Sequence, residues 1–140
     1  MNRKAKITIH SIQMQDGQRD EMKLEFDGKY FQKGSHHYVI YEEKVPDSSE
    51  MIKNRLKFAD GFMKVTKKGS FSSEMYFEPG GTHQTEYCTP FGKIPLSMRT
   101  NEFYVKKEEK DGFALGVNYV MIAGHSHLVD CQMQIGIRIL

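Results

Sequence analysis

The sequence predicts an all-β fold, an antiparallel meander β-barrel of about eight to ten strands. Three observations lead to this prediction. Apolar and polar residues alternate along many short segments, as they do in strands with one buried face. Turns that contain glycine recur at intervals of roughly 8 to 12 residues, a spacing typical of consecutive hairpins. In no segment do the apolar residues fit helical spacing better than they fit the alternation of a strand.

The clearest strand lies in the segment 86–100, after a turn at Thr89-Pro90-Phe91-Gly92. Its apolar residues are Ile94, Leu96 and Met98, and they alternate with polar residues and a proline. Successive side chains of a strand point to opposite faces, so this segment has one apolar and one wet side. The whole segment is interpreted as a signature of the fold rather than of function.

The first predicted hairpin joins a strand over 5–14 to a strand over 22–26 through a turn at Asp16-Gly17. The alternation slips near Ser11, and a β-bulge is the expected reason because one extra residue moves later side chains to the other face. Asp27-Gly28 is expected to end the second strand.

The next two predicted strands cover 37–43 and 51–58. Segment 51–58 is also a helix candidate, because Asp47 and Glu50 have the spacing of a capping box. Its period-2 alternation is cleaner than any helical period, which favours a strand. The remaining strands are expected at 62–67, 71–78, 83–89, 94–100, 101–107, 113–123 and 128–140.

Sequential hairpins favour an up-and-down arrangement, because strands adjacent in sequence usually pair. About ten strands in one open sheet would leave two unpaired edges, and closure into a barrel removes them. A two-sheet sandwich is the alternative. The length of 140 residues suits one domain over 1–140.

Composition limits the class of function. Charged residues make up 27% and the net charge is only +2, so a nucleic-acid partner is not expected. No apolar run reaches the ~20 residues of a membrane-spanning helix, and the first residues do not resemble a signal peptide. We expect a cytoplasmic protein without a membrane partner, with Cys88 and Cys131 as buried thiols.

Three segments resemble the YwiB-like family of bacterial proteins, a domain of unknown function. They are Gly34-Ser35-His36-His37-Tyr38-Val39-Ile40-Tyr41-Glu42-Glu43, Tyr87-x-x-x-Phe91-Gly92 and Asn118-Tyr119-x-Met121. The resemblance covers essentially the whole chain and implies a cytoplasmic, calycin-like or lipocalin-like barrel without established catalytic residues. The chain lacks tryptophan and therefore the Gly-x-Trp signature of true lipocalins. A role in ligand transport would rest on similarity of fold alone.

Catalytic and metal-binding patterns are weak in this sequence. No Gly-x-Ser-x-Gly elbow and no phosphate-binding Gly-Lys-Ser/Thr pattern occurs. His125-x-His127 has the spacing of two ligands on one strand face, but no carboxylate or cysteine accompanies it at ligand spacing. Ordinary roles are expected for the histidines at 36, 37, 83, 125 and 127. We therefore predict no enzyme activity, no cofactor and no metal.

The predicted function is non-enzymatic binding of a small apolar or amphipathic ligand inside the barrel. Alternation places four polar candidates for ligand contact on inward faces: Asn54, Tyr87, Thr100 and Tyr119. The alternative is a protein-interaction or structural module that binds no small ligand and whose barrel is filled by its own phenylalanines and methionines. A cavity of ~300 Å³ or more inside the barrel would favour the ligand. A homodimer through an unpaired edge of the C-terminal strand is also predicted.

Overall fold

The computed structural model describes residues 2–45, 47–69, 72–89, 92–108, 111–123 and 126–140. These residues form ten antiparallel strands and no helix, so the all-β prediction is confirmed. The strands are β1 Arg3–Gln15, β2 Gln18–Lys33, β3 His36–Lys44, β4 Met51–Ala59, β5 Phe62–Lys68, β6 Ser73–Phe77, β7 Thr82–Thr89, β8 Gly92–Glu108, β9 Gly112–Ala123 and β10 Ser126–Ile139.

The sheet follows the order β6-β5-β4-β3-β2-β1-β10-β9-β8-β7. Each paired neighbour is a sequence neighbour except β1 and β10, which join the two ends of the chain. The two outermost strands, β6 and β7, approach each other without a shared ladder. The Thr85 hydroxyl donates to the Glu74 carbonyl at 2.8 Å there, and the rings of Tyr76 and His83 lie 5.9 Å apart. The result is a nearly closed meander barrel, as predicted.

The inner face of the barrel is a continuous apolar core. Ile7 of β1 lies opposite Phe26 of β2 and Ile137 of β10, and its side chain is fully buried. Such burial contributes roughly 1.5–3 kcal/mol for each large apolar side chain. The largest fully buried apolar side chains are Phe58, Phe77, Ile7, Leu56, Met63, Met98, Leu115 and Val39.

Aromatic rings pack together inside the barrel near the turns between β2 and β3 and between β4 and β5. The ring of Phe113 lies 4.6 Å from His37 and 5.3 Å from Phe58. The Tyr30 hydroxyl and His37 Nδ1 form a hydrogen bond of 2.7 Å. Burial among these rings lowers the pKa of His37, so the neutral ring is favoured at this end of the barrel.

The expected end of the second strand at Asp27-Gly28 is wrong, because β2 continues to Lys33. Gly28 pairs with Ala5 on one side and Tyr41 on the other. A Cβ atom at Gly28 would overlap the Ile40 carbonyl oxygen and lie 2.7 Å from Ile7 Cδ1. Glycine is therefore required here by close packing of the backbone, and it does not mark a turn.

The separate strands predicted at 94–100 and 101–107 are one strand, β8. The pairing with β9 shifts between Thr100 and Glu102, which is a β-bulge at Asn101. Before the bulge Met98 and Thr100 face inward, and after it the inward residues are Phe103 and Val105. The bulge thus reverses the parity of every later side chain in β8.

The bulge expected near Ser11 is also wrong. The registers of β1 with β2 and with β10 run without a shift from Ala5 to Met14. Ile12 and Met14 instead point outward, where Met14 is 41% exposed. The apparent slip in alternation therefore reflects apolar residues on the outer face of a regular strand.

Two alternatives raised by the sequence are also settled. The segment Met51–Ala59 is a strand, paired on both sides, rather than a helix. The ten strands form one sheet and not a two-sheet sandwich. Within the described ranges, the structure contains no helix of the length and apolar character needed to cross a bilayer.

Substitution Gly28→Ala tests the packing explanation. We expect the added methyl group to lower the free energy of unfolding by about 1–3 kcal/mol, the usual cost of overpacking. The matched control is Gly61→Ala, because nothing lies within 4 Å of a Cβ atom at Gly61. Urea denaturation measures both variants. The control should stay within about 0.5 kcal/mol of the parent, and equal losses in the two variants would contradict the explanation.

Candidate functional site

Asn54 is the most deeply buried of the three predicted ligand-contacting residues whose side chains the structure describes. It lies on the inner face of β4, fully buried, and donates through Nδ2 to Glu43 Oε1 at 3.1 Å. Lys67 Nζ donates to the same Glu43 oxygen at 3.0 Å. The Asn54 Oδ1 atom has no hydrogen-bond partner among the described residues. Asn54 thus belongs to an internal polar cluster that pairs a half-buried carboxylate with a lysine.

Thr100 and Tyr119 lie directly opposite each other on β8 and β9, and both face inward. Thr100 is 1% exposed, and its hydroxyl has no partner within the described part of the chain. The Tyr119 hydroxyl is hydrogen-bonded to the Cys131 thiol, and burial raises the pKa of Tyr119. The Tyr119 ring also packs against Phe77, with centroids 4.9 Å apart.

The structure brings together only part of the predicted constellation. Thr100 and Tyr119 are paired, whereas Asn54 belongs to β4, whose ladders join it to β3 and β5. The backbone of Tyr87 lies in β7 opposite Ile94, but its side chain is outside the described part of the structure. Ligand contact by these four residues stays a prediction.

The predicted histidine sites are also only partly described. No group of three His, Cys, Asp or Glu side chains that the structure describes is placed to hold a metal ion. His125 and the side chain of His127 lie outside the described residues. Cys131 is a buried free thiol, and the side chain of Cys88 is not described.

A long groove runs across the outer face of β8, β9, β10, β1 and β2. Three depressions of about 740, 570 and 410 Å³ adjoin one another along it. The first two share Thr8, Ala114 and Gly136, and the last two share His10, Tyr104 and Gln134. We refer to this continuous surface as the outer groove.

The strand register explains why the outer groove is concave. Thr8, Gly136 and Ala114 lie side by side on β1, β10 and β9. These small residues form a low floor, because residues directly opposite in a ladder share a face. Longer side chains on the two flanking strands form the walls, with Glu25 on β2 and Lys106 on β8. The alignment of small residues over three strands thus creates the depression.

Tyr104 is the aromatic feature of the outer groove. It lies opposite Gly116, and a Cβ atom at that glycine would overlap the tyrosine ring. The ring therefore lies against the glycine backbone, a cross-strand arrangement that compensates for the missing side chain. Tyr104 nevertheless remains 50% exposed. The strand pairing holds one side of the ring in place and leaves much of it open to the groove.

Polar groups line the groove beyond Tyr104. Asn118 Nδ2 donates to Glu102 Oε2 at 3.2 Å, and the amides of Gln132 and Gln134 lie on the neighbouring strand. On the opposite wall His10 Nε2 and Glu21 Oε1 are 2.6 Å apart. The hydrogen bond from His10 lowers the pKa of Glu21, which favours its carboxylate form.

The other end of the groove contains charges of both signs. Lys6 Nζ lies 3.2 Å from Glu25 Oε1 in an exposed ion pair. Lys106, Glu108 and Arg138 line the same end. Exposed pairs of this kind contribute at most about 1 kcal/mol each. Lys6, Lys106, Lys107 and Arg138 outnumber Glu25 and Glu108 there, so this end is polar and carries a net positive charge.

Sequence reasoning did not identify the outer groove. The available signal was weak, namely glycines inside apolar strands, at Gly116 between Leu115 and Val117 and at Gly136 between Ile135 and Ile137. A glycine within a strand indicates either a bulge or a close approach. Only the strand register shows that Gly116 on β9 and Gly136 on β10 belong to paired strands and both face the outer surface.

The chain is similar to one known protein family and to one solved structure described below. A family model described as "Domain of unknown function (DUF1934)" matches residues 7–135. The chain belongs to this family. No curated protein matches the chain. The crystal structure of the ywiB protein from Bacillus subtilis is similar, with a TM-score of 0.85 over 99% of this chain and 93% of that chain. The sequence identity is 19%, so the similarity shows the fold.

Family membership confirms the resemblance seen in the sequence. The similar solved structure shows that this chain shares its fold with that protein. Neither comparison assigns a ligand or a reaction to this chain.

Substitution Thr100→Val tests whether the buried hydroxyl lacks a partner. Valine keeps the shape, so we expect the free energy of unfolding to rise by as much as about 1–3 kcal/mol. The matched control is Thr85→Val, which removes a hydroxyl that donates to the Glu74 carbonyl at 2.8 Å. That change should lower the free energy of unfolding by about 0.5–1.5 kcal/mol. A comparable loss for Thr100→Val in urea denaturation would show that its hydroxyl has a partner.

Proposed function

We propose that this chain is a non-enzymatic binding module that holds its ligand in the outer groove. The supporting observation is the row of three adjoining depressions, the largest of about 740 Å³, on the outer face of β8, β9, β10, β1 and β2. Ligand sites in proteins typically have volumes of roughly 300–1,000 Å³. The barrel core then serves as the rigid support for this surface.

The packing of the interior favours the outer groove over an internal ligand. Asn54 and Thr100 are 0% and 1% exposed, so a water-sized sphere does not fit against either side chain. Phe58, Phe77 and Met63 are likewise fully buried. A small apolar ligand at the predicted inner residues would have to displace these side chains. The second hypothesis from the sequence combined a filled barrel with an interaction or structural role and no ligand. We adopt its filled barrel, but we propose a ligand on the outer surface.

The groove offers little support for catalysis. His10 and Glu21 form a histidine–carboxylate pair at 2.6 Å, but a nucleophile must also lie within hydrogen-bond reach of the histidine. The neighbouring hydroxyl, that of Thr8, instead points to the Gly136 carbonyl oxygen at 3.5 Å. Among the described residues, no serine, threonine or cysteine is hydrogen-bonded to His10. We therefore propose that the groove binds its ligand without catalysing a reaction. We also propose that the protein acts in the cytoplasm, without a nucleic-acid or membrane partner.

Self-association has less support from the strands. β10 pairs with β1 over Ala5 to Met14 and with β9 over nearly its whole length. The edge that would have joined two copies is therefore occupied within the barrel. Dimerisation through the C-terminal strand stays a prediction, and it is not part of the proposed function.

Mapping with small probe molecules tests the proposed function. The ¹⁵N-labelled protein is titrated with acetamide, phenol and 2-propanol, and backbone amide shifts are followed by NMR. We expect the shifts caused by all three probes to overlap at the outer groove, around Thr8, Ala114 and Gln134. A binding site differs from ordinary surface in attracting chemically different probes to one place, because it combines apolar and polar contacts.

Two variants serve as controls for the mapping. Ala114→Tyr fills the floor of the groove and should abolish the clustered shifts. Thr82→Tyr places the same ring at an exposed outward position of β7, away from the groove, and should leave them unchanged. Clustering around Asn54, Thr100 and Tyr119, or no clustering at all, would overturn the proposal.

A further inference from the structure

We infer that the ligand of the outer groove is a linear, uncharged oligosaccharide. This inference rests on the proposed function and names the chemical class that its groove would take. Three features of the described residues point to it: an immobilised and half-exposed aromatic ring, a set of amide and carboxylate groups beside it, and a floor of very small residues.

The ring of Tyr104 is suited to stacking against a sugar. The C–H groups on one face of a pyranose form an apolar surface that packs against an aromatic ring. Tyr104 is supported from below by Gly116 and is 50% exposed. Because one face of the ring already packs against Gly116, less side-chain entropy is lost when a ligand stacks on the other face. Tyrosine also keeps a hydroxyl for a hydrogen bond at the edge of such a contact.

The polar groups beside Tyr104 match sugar hydroxyls. Each hydroxyl donates one hydrogen bond and accepts others, so it needs both kinds of partner. Gln132, Gln134 and Asn118 supply amide donors and acceptors, and Glu102 supplies a carboxylate acceptor. Asn118 and Glu102 already hold each other at 3.2 Å, which fixes the orientation of both groups.

The shape of the groove fits a chain of several sugar rings. It follows β10 from Arg138 to Gln132, a length of roughly 20 Å at the usual rise per strand residue. Its floor at Gly136 and Ala114 allows a ligand to approach the sheet closely. The groove is shallow and open, so it suits a chain that extends beyond both ends rather than an enclosed small molecule.

Two other polymers fit the described groups less well. A peptide strand binds through backbone groups at a sheet edge, but β1, β2, β9 and β10 are each paired on both sides. A nucleic acid would need a row of cations for its phosphates. The groove has five cations, Lys6, Lys23, Lys106, Lys107 and Arg138, but they line its first two depressions. Among the described residues, the third depression, which holds Tyr104 and the amides, is lined by Glu102 and by no lysine or arginine. An anionic group beside Tyr104 in this depression would meet the Glu102 carboxylate without a neighbouring lysine or arginine, and uncharged hydroxyl groups avoid that repulsion.

Titration with defined hexasaccharides tests the inference. The probes are cellohexaose, maltohexaose and hexa-N-acetylchitohexaose, which are uncharged, with hexagalacturonate as the charged counterpart. We expect at least one uncharged hexasaccharide to bind with a Kd of about 1 mM or tighter. The affected backbone amides should lie along the outer groove, and hexagalacturonate should bind at least about tenfold more weakly.

Variants separate stacking from general damage. Tyr104→Ala should weaken binding about tenfold, and Tyr104→Phe should keep most of it. If Tyr104→Ala unfolds the protein, Gln134→Ala tests the contribution of the amide groups instead, because it leaves the Tyr104 ring in place over Gly116. Ile40→Ala, an exposed residue on the outer face of β3, is the matched control and should bind normally.

The outcomes distinguish this inference from the proposed function. If acetamide, phenol and 2-propanol cluster in the groove but no uncharged hexasaccharide binds there, the ligand class is wrong and the groove stands. Preference for hexagalacturonate, or binding that Tyr104→Ala and Gln134→Ala leave unchanged, also overturns the oligosaccharide. If the small probes do not cluster either, the proposed function fails as well.

Discussion

The ladder between β1 and β10 is the constraint on which the rest of the structure depends. It pairs ten residues of each strand, from Ala5 opposite Ile139 to Met14 opposite Asp130. The other ladders join strands adjacent in sequence, so they form as local hairpins. Only β1 with β10 brings together the two ends of the chain, and closing so long a loop costs entropy that the buried side chains must offset. Without this ladder, two separate meanders, β1 to β6 and β7 to β10, would each leave apolar faces uncovered.

The same ladder determines both faces of the barrel. Ile7 opposite Ile137 places large apolar side chains inside, where they complete the core. One residue further along, Thr8 opposite Gly136 places small residues outside, where they form the floor of the outer groove. Because side chains alternate strictly along a strand, one register fixes the two sets together. Core and groove are therefore consequences of a single pairing, and a shift by one residue would destroy both.

The sequence was sufficient for most of the strands and turns and for three of the four inward candidates, because alternation is a local property. Asn54, Thr100 and Tyr119 lie on the inner face where alternation predicts them. What failed required knowledge of neighbours in space. Gly28 resembles a turn residue until the Ile40 carbonyl is seen against it. Tyr104 would share a face with Met98 in an unbroken strand, and only the bulge at Asn101 turns it outward to Gly116. The outer groove could not be predicted from the sequence for the same reason, because it depends on the registers between strands.

Native-state hydrogen exchange tests the central role of the β1–β10 ladder most directly. We expect the amides in this ladder to exchange slowest, and only through global unfolding, because opening the ladder disrupts the whole barrel. Amides of β6 and β7 along their unpaired approach, where a side-chain hydrogen bond joins Thr85 to Glu74, should exchange through local opening at lower free energy. If the amides of β1 and β10 exchange faster than those of the β3–β4 hairpin, the ladder is not what holds the barrel together.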